Sequence, residues 1–167
     1  MRTILALSLV VAGVVLRVIP HPWNFAPIGA IALFGGARFD RKWMGIALPL
    51  ITMFIGDAFI GFHSAMPVIY ATYALIAVIG MFLRNRRSIA AIGGASLLSS
   101  TIFYLTTNFW VWARGTTYAK TFAGLITCYV AAIPYFERTI ASDLLFSAIF
   151  FGVFAAVERT SPAFARA

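Results

Sequence analysis

Long apolar runs separated by short polar turns organise the chain. Apolar stretches cover residues 3–16, 27–37, 43–62, 67–83, 89–112, 122–136 and 139–157. A bilayer-spanning helix needs about 20 mostly apolar residues, so most of these runs predict spanning helices. The run 3–16 follows Arg2 and has the charged start of a signal peptide, but no Ala-x-Ala site follows it, and it is read as the first span. The run 27–37 is short: it must borrow residues 23–25, tilt, or stay buried among other helices. The run 122–136, which ends around Pro134, can be a re-entrant or interfacial segment or a further span; a helical extracytoplasmic segment suits its length better. The sequence thus predicts an all-α fold, a polytopic membrane helical bundle of about six transmembrane helices, in a single integral membrane domain over residues 1–167.

Polar residues inside these runs recur at helical spacing. Ser96, Ser100, Tyr104, Asn108 and Trp112 fall every four residues, as do Thr139, Asp143 and Ser147, and Met53, Asp57 and Gly61. Each set makes a slowly drifting stripe on a helix. Three facing stripes would enclose a cavity between helices, where bundles place ligand sites. The plainer reading is interhelical hydrogen bonding, worth about 0.6 kcal/mol each.

Composition agrees with the pattern. The 167 residues are 62% hydrophobic and 11% charged, with a mean hydropathy of +0.93; soluble domains carry about 25% charged residues. The net charge of +8 belongs to topology rather than to nucleic acid, because no soluble basic-aromatic face exists. With the N-terminus inside and six spans, nine of the 13 basic residues fall on the inner side: Arg2, Arg38, Arg41, Lys42, Arg84, Arg86, Arg87, Arg159 and Arg166. Arg17, Arg114, Lys120 and Arg138 fall outside. This follows the positive-inside rule and predicts a multi-pass protein of the bacterial inner membrane with both termini cytoplasmic.

The remaining polar residues then gather at the outer end. Residues 17–27 hold three prolines, which limit regular helix, together with Arg17, His21, Trp23 and Asn24. This segment either lines a cavity as a lid or forms a polar turn with interfacial aromatics. Asp57 and His63, Asn108, Trp110 and Trp112, Tyr129, and Asp143 lie at the same end. A carboxylate in a spanning segment costs roughly 2.5–3.5 kcal/mol and generally faces a cavity or a partner. Asp57 is open to a structural ion pair with Arg17, to substrate contact or to proton coupling; Asp143 could instead cap the last helix. His21, His63 and Asp57 lack close metal-ligand spacing, and Cys128, the single cysteine, excludes an intrachain disulfide and a multi-cysteine metal site. No catalytic triad and no phosphate loop occur, so no catalytic residue, metal or cofactor is expected.

Residues 17–37, RVIPHPWNFAPIGAIALFGGA, resemble the opening signature of the bacterial DUF6580 family of proposed transport proteins. Leu48-Pro-Leu to Gly56-Asp57, TTNFWVW at 106–112, GLITCYVAAIP at 124–134 and SDLLF at 142–146 resemble its later blocks. That family looks similar to the substrate-binding S-components of energy-coupling factor transporters. The resemblance implies six helices, an outer pocket for a vitamin-like micronutrient or metal, and docking onto a transmembrane coupling subunit with two ATPases. Ser8 and Ala12 match a small-residue docking face on the first helix, although they do not form an Ala-xxx-Ala repeat. Arg2 stands where cobalt and nickel members carry His, and the single cysteine lies too late in the chain for a cobalamin-type ligand.

The expected function is therefore uptake of a small solute by a membrane-embedded binding protein, not an enzyme. Its substrate-binding set is Arg17, His21, Trp23, Asn24, Asp57, His63, Asn108, Trp110, Trp112, Tyr129 and Asp143. The alternatives are a membrane enzyme using His21, His63 and Asp57, and a non-catalytic structural membrane subunit.

Overall fold

The computed structural model describes residues 2–20, 22–39, 41–84, 86 and 88–160. His21, Asp40, Asn85, Arg87 and the tail from residue 161 lie outside the described residues. Seven helices follow one another: α1 (Arg2–Val18), α2 (Ile28–Arg38), α3 (Lys42–Ile60), α4 (Met66–Met81), α5 (Ile89–Arg114), α6 (Phe122–Ala131) and α7 (Ile133–Thr160). No strand occurs among the described residues.

Three of them, α3, α5 and α7, are long and apolar enough to cross a membrane. With 17, 11, 16 and 10 residues, α1, α2, α4 and α6 are shorter than the usual span. The expectation of about six spanning helices thus narrows to three of spanning length. The apolar run 122–136 is not one segment. It divides at Ala132, and Pro134 belongs to the first turn of α7, where a missing N–H breaks no helical hydrogen bond.

The helix too short to span is the hub. Every residue of α2 from Ile28 to Ala37 is buried, and α2 packs against α3, α4, α5 and α7. Glycines allow this. A Cβ at Gly36 would collide with the carbonyl of Ala77 in α4, and one at Gly80 with the carbonyl of Leu33 in α2. Gly35 meets Gly45 of α3, where an added Cβ would lie 3.1 Å from the Gly45 carbonyl oxygen. That carbonyl lacks its usual helical donor, because Pro49, four residues on, has no N–H. Phe34 anchors the other side, with its ring edge-on to Phe151 and Phe154 of α7.

The bundle departs from the water-soluble pattern on its outside. Thr52, Asp57, Thr72, Ser96, Ser99, Ser100, Thr139, Ser142, Asp143 and Ser147 are buried, while Val11, Ile51, Phe54, Leu75, Leu98, Leu105, Leu145 and Val153 face outward. An apolar exterior around an interior that buries these polar groups beside the apolar core of α2 is what a lipid solvent selects. Several of the buried hydroxyls return to carbonyls four residues back, as Thr52 does to Leu48 at 2.9 Å and Ser99 to Ala95 at 2.8 Å.

Short connections make neighbouring helices antiparallel, so the ends sort by charge. Arg38, Arg41, Lys42, Arg84, Arg86 and Arg159 lie at one end, called here the basic end. The opposite end carries residues 19–27, the loop 61–65 and the loop 115–121.

Candidate functional site

At about 1.5 Å per residue, an 11-residue helix rises only about 16 Å, roughly half the hydrocarbon thickness. The space beyond the first turn of α2, away from the basic end, holds a cavity of about 680 Å³. Arg17 and Val18 from the end of α1, Trp23, Asn24 and Ala26 from the following loop, Met53 and Ile60 of α3, Ile69 and Tyr73 of α4, Phe103 of α5, and Thr139 and Asp143 of α7 line it. Trp23, Asn24, Ile69, Phe103 and Thr139 also line an adjoining cavity of about 330 Å³, which extends to Tyr104 and Asn108. The combined size suits a small organic solute.

The loop over this space is clasped rather than loose. Phe25 N–H donates to the Pro22 carbonyl at 3.0 Å, closing a turn. Asn24 takes a positive φ of 63°, a conformation Asn tolerates better than most side chains. The far end of the loop is pinned to α7: Ser142 Oγ donates to the Ala26 carbonyl at 2.9 Å, and Phe25 meets Phe146 edge-on at 6.0 Å. Trp23 projects from the turn and is 76% exposed, so it stands at the mouth of both cavities.

Two buried carboxylates flank the cavity. Asp57, fully buried, receives a hydrogen bond and an ion pair from the Arg17 guanidinium at Oδ1, and a hydrogen bond from Tyr70 Oη at Oδ2, 2.8 Å away. Arg17 itself forms cavity wall and screens Asp57 from the space. Its aliphatic stem lies over Gly56, where a Cβ would displace it. Asp143, 4% exposed, reaches the cavity directly. Ser100 Oγ donates to its Oδ2 at 2.7 Å, and its carboxylate rests against Gly29, in the first turn of α2. The positive end of that helix dipole offsets part of the cost of burying the charge. No cation pairs with Asp143 among the described residues.

The stripes therefore do not all face one space. Those of α5 and α7 zip together, Ser100 to Asp143 and Ser147 to Ser96 at 3.5 Å. From α3, Met53 reaches the cavity, while Asp57 turns to Arg17 and Tyr70.

Of the eleven residues expected in the site, Arg17, Trp23, Asn24, His63 and Asp143 line the larger cavity and Asn108 the smaller. His21 lies outside the described residues. The other four do not line either. Asp57 sits behind Arg17. Trp112 Nε1 donates to the Ala119 carbonyl at 2.9 Å, and Lys120 donates to the carbonyls of Trp112 and Gly115, so Trp112 caps the loop 115–121. Trp110 lies beneath the guanidinium of Arg114. Tyr129 Oη donates to Leu105 at 2.8 Å and its carbonyl accepts from Tyr104 at 2.6 Å, tying α6 to α5. The aromatic wall comes instead from Tyr73 and Phe103, stacked with ring centres 5.2 Å apart. Sequence reasoning missed both, because α4 is apolar on all sides and gives Tyr73 no distinguishing period. On α1, Ser8 is exposed and Ala12 partly so, beside the buried seam of Leu9 and Gly13.

Fold and site together define an all-helical protein of membrane type, with a cavity of mixed polar and apolar lining at the end opposite its basic end. The chain belongs to the DUF6580 family, described as a family of unknown function, which matches residues 1–164. No curated protein and no solved structure matches it.

Proposed function

We propose that this protein is a membrane-embedded binding subunit for uptake of a small, vitamin-like solute, similar in plan to the S-component of an energy-coupling factor transporter. The observation that carries this reading is the cavity of about 680 Å³ walled by α1, α3, α4, α5 and α7 and bounded by the clasped loop that leads into α2. In this reading all helices but α6 cross the bilayer, the shorter ones completed by flanking residues. The basic end faces the cytoplasm of a bacterial inner membrane, as the positive-inside rule requires. Both termini are then cytoplasmic and the cavity opens outward. Trp23 and Asn24 act at the gate. Energy comes from a transmembrane coupling subunit and its ATPases, and the face around Ser8 and Ala12 is the surface that docks onto it. The sealed environment of Asp57, with both oxygens engaged, favours binding over acid–base turnover at this end.

The test is a thermal-shift screen of the purified protein in detergent against vitamins, their precursors and divalent metals. A ligand at a hundredfold excess over its Kd stabilises by about 2.7 kcal/mol. A hit is expected, and Trp23→Ala, a change at an exposed side chain, is expected to weaken it without lowering the unliganded melting temperature. No hit across the panel sinks the proposal in favour of a structural subunit.

A further inference from the structure

We infer that the cavity takes a small organic cation, with its positive group at Asp143 and its body against the Tyr73–Phe103 stack. The inference rests on the binding-subunit reading of the same cavity and adds the chemical class of ligand. It begins from charge. Arg114, Lys120, Glu137 and Arg138 lie at this end but do not line the cavity, whose lining includes Arg17, His63 and Asp143; of these, Arg17 is neutralised by Asp57, whose shell Tyr70 completes. Asp143 has no such counter-charge: the groups found against it are the Ser100 hydroxyl and the first turn of α2 at Gly29.

A hydroxyl and a helix end supply partial positive charge only. The helix end contributes about 0.3–1 kcal/mol in ordinary settings, less than the roughly 2.5–3.5 kcal/mol that a carboxylate costs in a spanning segment. A buried carboxyl short of counter-charge otherwise takes a proton; a cation entering the cavity completes the compensation and holds the charged form. Aromatic faces then favour the same ligand, since the π-face of Tyr or Phe attracts positive charge. Tyr73 and Phe103, stacked on each other, supply aromatic rings on the wall, and Trp23 supplies a third at the mouth. An anion would meet the uncompensated carboxylate, and Arg17 is already committed to Asp57. Gly29 is part of the design: a side chain there would displace the carboxylate.

The experiment uses the full-length protein in detergent at pH 7 and three probes on one ring: phenethylamine as the cation, 2-phenylethanol as the neutral isostere and 3-phenylpropionate as the anion. Thermal shifts across a concentration series give their relative affinities. The cation is expected to bind about tenfold to a hundredfold more tightly than the other two, the range of a charge-assisted hydrogen bond. In Asp143→Asn that preference is expected to vanish, with 2-phenylethanol unchanged. The ranking in the unmodified protein is informative even if the variant fails to fold. Equal binding of the three probes, or preference for the anion, overturns the cation assignment and leaves the binding reading standing. A cation preference that survives in Asp143→Asn overturns the role of Asp143. No stabilisation by any of the three also overturns the assignment, while the wider solute panel judges the binding reading on its own.

Discussion

Asp57 and Asp143 are both buried at the same end of the bundle, yet they are solved differently. Asp57 is closed on itself, with a full cation on one oxygen, a phenol on the other and the cation's own stem packed over Gly56. Asp143 is held by a hydroxyl and a helix end, with the cavity before it. The first arrangement completes a structure; the second leaves an electrostatic demand. A buried charge therefore reports function through what its shell lacks, and burial alone does not separate the two cases.

The largest effect is expected from removing the closure. Arg17→Met strands a fully buried carboxylate and is expected to cost about 3–5 kcal/mol, read by equilibrium unfolding in mixed micelles. A cost below 1 kcal/mol would mean that Asp57 is not charged in the folded protein, and the contrast would collapse. Tyr70→Phe removes one hydrogen bond to the same carboxylate and should cost about 1.5–3 kcal/mol. Gly29→Ala forces a methyl group into the Asp143 carboxylate and should cost about 1–3 kcal/mol by overpacking; pairing it with Asp143→Ala, which makes room, should recover most of that loss. The smallest effect belongs to Asp143→Asn, expected to stay within about 1 kcal/mol of the parent or to stabilise it, because it removes an uncompensated charge while keeping the shape. A loss as large as that of Arg17→Met would show that Asp143 is as structurally committed as Asp57.

The sequence made the helical class, the turns and the short second run readable, because run length and charged punctuation are local signals. The Arg17–Asp57 pair was also within reach: the outer end offered few cations, and Arg17 sits beside the prolines that end α1. Pro134 misled, since a proline inside an apolar run reads as a stop unless the preceding break at Ala132 is known. Trp110, Trp112 and Tyr129 stand apart from both cavities, and nothing in the sequence marks that. Aromatics near a polar loop look alike in sequence whether they face a ligand or a loop carbonyl, and only the fold of residues 115–121 decides it. Tyr73 and Phe103 carried no mark, because their role depends on two helices meeting at one height.

The brevity of α2 has a consequence for how such a chamber changes. The chain that leads into its first turn lines the chamber at Trp23, Asn24 and Ala26, so the length of α2 sets the height at which that lining sits. One added turn would lift that lining by about 5.4 Å, and one deleted turn would lower it, while the lateral contacts of α2 with α3, α4 and α7 keep their register nearer the basic end. Chambers of different height can thus be reached by insertion and deletion at the Pro27–Ile28 junction, provided that the bond from Ser142 to the Ala26 carbonyl is remade at the new height.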